Sequence, residues 1–227
     1  AWTRNSGQFP FMGRGDTNLY AVMTERGRSL LAPHGREGFV VPSGIATDST
    51  TSAFFADLVE TKTLQVLLDF ENREGLFPDV HREQKFSVIL FTGGLAQEKV
   101  DCGFFLHNAG DLVDPERVFL LYPDDCALMN PNTRTCPIFR IRQDLELTRG
   151  IYQRVPVLVR EAKTNDENPW GVRYLRMLDM TNDAELFATA SELEAQGFYP
   201  MPGRVWRKGQ ATFLPLYEGK MVWHFDN

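Results

Sequence analysis

Cysteine is scarce in this sequence. Its 227 residues hold three, Cys102, Cys126 and Cys136, with no C-x-x-C spacing among them. An odd, scattered set supplies neither a disulfide framework nor a tetrahedral zinc site. Histidine is nearly as rare, and His34, His81, His107 and His224 show no metal-ligand spacing. No apolar run approaches the ~18–20 residues of a membrane helix. The opening "AWTRNSGQFP" has neither the basic start nor the apolar centre of a secretion signal. It also lacks an initiator methionine, as a processed chain or an excised fragment would. These absences predict a cytoplasmic chain with reduced thiols, no metal and no membrane contact.

What is present is ordinary for a globular protein: 43% hydrophobic and 24% charged residues. The length suffices for one large domain or two small ones. A net charge of −6 does not point to nucleic acid, but the charge is unevenly spread. Asp101, Asp111, Asp114, Glu116, Asp124 and Asp125 stand against Arg117 alone, a local balance of −5. Arg134, Arg140, Arg142, Arg149, Arg154, Arg160 and Lys163 stand against Asp144, Glu146 and Glu161, a balance of +4. A basic face can meet phosphate even on an acidic protein. A solvated arginine-rich surface explains the same run equally well.

The stretch "FMGRGDTNLYAV", 11–22, contains an Arg-Gly-Asp tripeptide. Asp16 or Thr17 stands where a helix N-cap belongs, and Leu19, Val22, Met23, Leu30 and Leu31 follow mostly at helical spacing. The tripeptide therefore reads as a turn into a helix that Pro33 and Gly35 end, not as an adhesion motif. "GFVVPSG", 38–44, reads as a buried strand running into a loop, "PSGIATDS". Asp48 or Ser49 can cap a second helix with Phe54, Phe55, Leu58 and Val59 as its apolar stripe. "LQVLLDF", 64–70, and "KFSVILFTG", 85–93, read as two further strands, joined by the polar "ENREGLFPDVHREQ".

Helix, strand, helix, strand, strand predicts an α/β fold with parallel crossovers, the last two strands forming an antiparallel hairpin at the sheet edge. In such sheets ligands bind beyond the carboxyl ends of the strands, here at "PSGIATDS". From about residue 100 the pattern turns irregular, with short strands over 104–125 and a helix in "DLELTRGIYQRVPVLVR". "DAELFATASELEAQGF" reads as one short helix with Leu186, Phe187, Leu193 and Phe198 on its core side and Gly197 as its stop. The expected division is an α/β domain over 1–100 and an α+β region over 101–227.

Several blocks carry a resemblance. Asn18-Leu19-Tyr20, Leu31-Ala32-Pro33, Gly35 and Phe39-Val40-Val41-Pro42 follow one another as in adenine-specific DNA methyltransferases of restriction-modification and phage-defence systems. "LLDFENREGLFPDVHREQKFSVILF", 67–91, resembles the next block of that family more closely still. "NPWGVRYLRMLDMTNDAELF", 168–187, and "LPLYEGKMVWHFDN", 214–227, are similar to stretches that lead into target recognition. The resemblance covers most of the chain and is strongest over 17–91.

It implies the C-terminal half of a Rossmann-like methyltransferase domain followed by the start of a DNA-recognition region. The methyl donor would be S-adenosylmethionine and the substrate a flipped adenine in double-stranded DNA. By the resemblance Phe77, followed by Pro78, stacks on the adenine, Pro42 and Ser43 lie near the base or cofactor pocket, and Lys85 lies near backbone phosphate. Arg140, Arg142 and Arg149 are the further candidates for the DNA backbone. Extruding a base costs a few kcal/mol, and stacking on an aromatic returns ~1–3 kcal/mol of it.

Two family motifs do not fit. The glycine-rich cofactor loop and the Asn/Asp-Pro-Pro-aromatic motif precede the Asn-Leu-Tyr helix in that family, and only sixteen residues precede Thr17. Gly13-Arg14-Gly15 follows no predicted strand. Asn168-Pro169-Trp170 has one proline where the motif has two, comes after the later strands, and reads as a turn. The chain alone is therefore expected to be inactive, its partners being DNA, an N-terminal half of the same protein and a nuclease domain or defence subunits. Two other hypotheses stay open: a non-catalytic DNA-binding or specificity module, and a small-molecule-binding α/β domain with its pocket at 42–48.

Overall fold

The computed structural model describes residues 2–13, 17–162, 164, 166–173, 175, 176 and 178–216. The Arg14-Gly15-Asp16 turn, Lys163, and residues 217–227 of the last resembling stretch lie outside them.

A short helix, α1 (Trp2–Asn5), precedes α2 (Leu19–Leu30), whose cap is Asn18 and not Asp16 or Thr17. The inward face of α2 is Ala21, Val22, Thr24 and Glu25, whereas Leu19, Met23 and Leu30 are exposed. The expected apolar stripe was thus partly misplaced. Polar partners explain the difference: the Glu25 carboxylate accepts from the backbone N–H groups of Phe11 (3.0 Å) and Met12 (2.8 Å), and Thr24 Oγ1 donates to Tyr20 O (2.9 Å). Satisfied hydrogen bonds make these groups affordable inside.

Strand β1 (Arg36–Pro42) runs into a helical turn, α3 (Gly44–Thr47), which buries Ile45 and Ala46. "PSGIATDS" is therefore not an open loop. Next comes α4 (Ser52–Glu60), capped at Thr51 instead of Asp48 or Ser49, with the expected stripe Phe54, Phe55, Leu58 and Val59 buried. β2 (Leu64–Glu71), β3 (Lys85–Thr92), β4 (Val100–Leu106) and β5 (Val118–Leu121) follow. Two helices, α5 (Pro123–Met129) and α6 (Arg142–Tyr152), close the series.

These five strands form one mixed sheet in the order β1-β3-β2-β4-β5. β3 pairs antiparallel with both β1 and β2, while β2 pairs parallel with β4. The β2–β3 pair is antiparallel as expected, but β3 lies inside the sheet and not at its edge. The α4 crossover leaves a strand-wide space between β1 and β2, and β3 fills it, pairing Phe39 with Ile89 on one side and Leu67 with Ile89 on the other. The core contains Phe54, Phe91 and Phe104, with Phe54 edge-on to Phe91 (6.2 Å between centroids). Cys102, Cys126 and Cys136 are free and buried in it, and burial together with the neighbouring thiols pushes the Cys136 thiol well up.

The fold is mixed α/β, a partial Rossmann-like sheet with a small antiparallel sheet further along the chain. A boundary near residue 100 does not divide it, because β4 and β5 belong to the first sheet. The chain separates instead into units of 1–172 and 173–227. In the second, the expected single helix is a 3-10 turn, Ala184–Leu186, then α7 (Ala190–Ala195). Only Leu193 of the four proposed core residues is buried there. β6 (Tyr199–Met201), β7 (Val205–Lys208) and β8 (Ala211–Phe213) form a three-stranded antiparallel meander. Among the described residues no helix is long and apolar enough to cross a membrane, and no cluster could hold a metal ion.

Candidate functional site

β1, β2 and β4 point the same way, so their carboxyl ends bring Pro42-Ser43, Glu71-Asn72 and Leu106-His107 to one end of the sheet. Lys85 joins them at the start of the antiparallel β3, opposite Glu71. That end is where open α/β sheets receive ligands.

The loop from Asn72 to Gln84 is built around one side chain. Asn72 is fully buried. Its Nδ2 donates to the carbonyls of Phe77 (2.9 Å) and Val80 (2.9 Å), with a longer contact to His81 O (3.4 Å). Its Oδ1 accepts from Phe77 N (2.9 Å). Gly75 sits at φ +76, a conformation that disfavours any side chain. So held, Phe77 stays 43% exposed, its ring edge-on to Phe86 (5.0 Å, 77°). Phe86 in turn stacks face to face on Phe70 (5.3 Å, 6°). Pro78 is exposed beside it.

An open depression of about 250 Å³ is lined by Val40, Pro42, Phe77, Val80, Lys85 and Phe86. Three residues named from the sequence, Pro42, Phe77 and Lys85, thus share one surface. Ser43 does not line it. Its hydroxyl donates to Asp69, as does Ser87 Oγ (2.7 Å). Burial raises the Asp69 pKa, against the two serines and Lys85, which lower it.

Glu71 gathers two cations and an imidazole: Arg73 Nε at 2.7 Å, Lys85 Nζ at 3.1 Å and His107 Nε2 at 3.4 Å. Burial pushes its pKa up, but Lys85, Arg73 and His107 outweigh that and hold it below the usual range. Lys85 Nζ also lies 5.0 Å from the centre of the Phe105 ring, and Arg140 Cζ lies 4.3 Å from it.

The other two arginines are placed elsewhere. Arg149 makes a bidentate pair with Asp125, Nε to Oδ1 at 2.6 Å and Nη2 to Oδ2 at 2.7 Å. Arg142 pairs with Glu116 (2.6 Å) and Glu146 (3.6 Å). Two arginines of the basic run are thus counter-charged by the acidic run, Arg142 by Glu116 and Arg149 by Asp125. Asn168-Pro169-Trp170 is a turn, with Trp170 Nε1 donating to Pro156 O (3.2 Å). Sequence reasoning missed Asn72, Glu71 and Phe105. Asn72 lies inside the block that carried the resemblance. The cross-strand pairing of Glu71 with Lys85 depends on a register that the chain alone does not display.

No family model matches the sequence, and no curated protein does. Among solved structures the chain is similar to the type IIG restriction endonuclease BpuSI, at 17% identity and a TM-score of 0.39. The match covers 64% of this chain and spans 17% of that enzyme.

Proposed function

We propose that this chain is part of a DNA adenine-N6 methyltransferase of restriction-modification type and that the Phe77 depression receives the extruded adenine. The supporting observation is the convergence of Phe77, Pro42 and Lys85 on one open surface at the carboxyl ends of β1 and β2. Phe77 offers an aromatic ring whose backbone is fixed by Asn72, so little loop entropy is lost when a base stacks on it. Any base has a face to stack, at ~1–3 kcal/mol.

The residues present fit a base better than S-adenosylmethionine. Gly93-Gly94 after β3 packs against Leu31, Ala32 and Pro33, and the buried Asp69 carboxylate is already engaged by two serines. The donor's main loop would belong to the N-terminal half that the resemblance implies. What this chain contributes is capture of the base and counter-charge for its backbone.

The test is binding of the chain to two duplexes, identical except that one carries a mispaired adenine. The expected result is tighter binding of the mispaired duplex, with the preference lost in Phe77→Ala. Equal affinities for the two duplexes, or a preference that survives Phe77→Ala, overturn the assignment. The alternative of a non-catalytic DNA-binding module places its contacts on the arginines of 134–160, and Arg142 and Arg149 are already neutralised by carboxylates.

A further inference from the structure

Phe105 has a backbone that its residue type disfavours. It lies within β4 at φ +54, the left-handed region where a bulky residue is rare. The β2–β4 register shows the cause: Leu68 opposes Gly103 and Phe70 opposes Leu106, so β4 carries one extra residue, a bulge. Arg117 Nη2 holds the bulge by donating to Phe105 O (2.5 Å). Such strain persists where the surroundings enforce it, and it gathers at functional sites. Here it sets a half-buried ring within reach of two cations, Lys85 Nζ at 5.0 Å and Arg140 Cζ at 4.3 Å from its centre.

The two ways of holding an arginine differ in what they leave over. Arg142 and Arg149 spend their N–H groups on carboxylates. Arg140 is exposed and, among the described residues, pairs with no carboxylate. A guanidinium over a ring is oriented by the face and keeps its donors for an incoming acceptor. Arg73 and Lys85 share the single carboxylate of Glu71, and Arg140 adds a third cation beside Lys85 on the Phe105 ring. Lys85 belongs both to this group and to the wall of the Phe77 depression.

We infer that Phe105 and the cations on it form a phosphodiester seat beside the base pocket, with Lys85 and Arg140 as the binding groups and Phe105 as their positioning residue. The ligand is the backbone phosphate of the nucleotide whose base meets Phe77, so the inference rests on the proposed base-binding role. Arg73, tied to the same Glu71 as Lys85, widens the seat toward the next phosphate.

The experiment titrates the chain against a duplex with one mispaired adenine, its adjacent phosphodiester either natural or replaced by an uncharged methylphosphonate. Lys85→Gln and Arg140→Gln are each expected to weaken binding of the natural duplex about tenfold and to lower the slope of log Kd against log salt by about 1. The methylphosphonate is expected to weaken the wild type by a similar factor and the two variants far less. Phe105→Leu is expected to weaken binding as they do, with recovery in Phe105→Tyr. Circular dichroism confirms folding, and the two surface variants carry the test if Phe105→Leu fails to fold. Wild-type affinity and slope in both variants, with the Phe77-dependent preference intact, overturn the seat alone. Absence of DNA binding at about 50 mM salt overturns the seat together with the DNA role.

Discussion

The side chain of Asn72 and the backbone of Phe77 hydrogen-bond in both directions, Nδ2 to the Phe77 carbonyl and Phe77 N–H to Oδ1, each at 2.9 Å. One buried amide thereby does for a thirteen-residue loop what a ladder does for a strand, and it leaves the aromatic ring facing out. Rigid backbone with an exposed ring is the combination that the proposed base capture requires.

Asn72→Ala removes those bonds and leaves buried backbone groups unpaired. The expected cost is about 2–3 kcal/mol, from ~1 kcal/mol per lost bond plus the desolvated partners. Urea denaturation measures it, and proteolysis should shift to residues 74–84. A loop as protease-resistant as the wild type would count against the organising role of Asn72.

Arg149 and Arg142 separate two kinds of ion pair. Arg149→Ala strands the Asp125 carboxylate, whose side chain is 6% exposed, and is expected to destabilise by about 2–4 kcal/mol. Arg142→Ala loses exposed pairs only and should cost below ~1 kcal/mol. Denaturant midpoints of the two variants compare them directly.

Asp69 gives a pH signature. Its folded pKa is raised above the ordinary 3.8 by burial, so the folded state holds this proton more tightly than the unfolded chain. The contribution to stability is present below 3.8 and is lost as pH rises through the folded value. Asp69→Asn should therefore gain on the wild type as pH rises from 4 to 7, a difference read from paired urea titrations. A difference that stays constant with pH would exclude the buried carboxylate as the cause.

In the second unit, Thr189 and Glu192 form a capping box, Thr189 N donating to Oε2 at 2.7 Å and Glu192 N to Oγ1 at 3.3 Å. Thr189→Ala is expected to cost about 1 kcal/mol of stability in that unit, observable as faster amide exchange over α7. Unchanged exchange would show that Leu193 burial alone holds the helix.

The sequence by itself determined the elements whose periodicity is strong and whose burial is one-sided or complete. α4 follows from Phe54, Phe55, Leu58 and Val59 at helical spacing, and β1, β2 and β3 from apolar runs bounded by turns. Phe77 was named through the family resemblance, because an aromatic before proline in a polar loop, taken alone, reads more readily as a side chain folded onto the core. Only the tertiary structure decided on which side of β2 the next strand lies, since both edges of β2 offer the same hydrogen bonds and α4 alone sets the space to be filled. The same holds for charge. Arg140 and Arg149 are alike in the chain, but α6 carries Arg149 to Asp125, whereas the β4 bulge puts the Phe105 ring under Arg140. Pairing across the sheet depends on register, and register is a property of neighbours that sequence spacing does not contain.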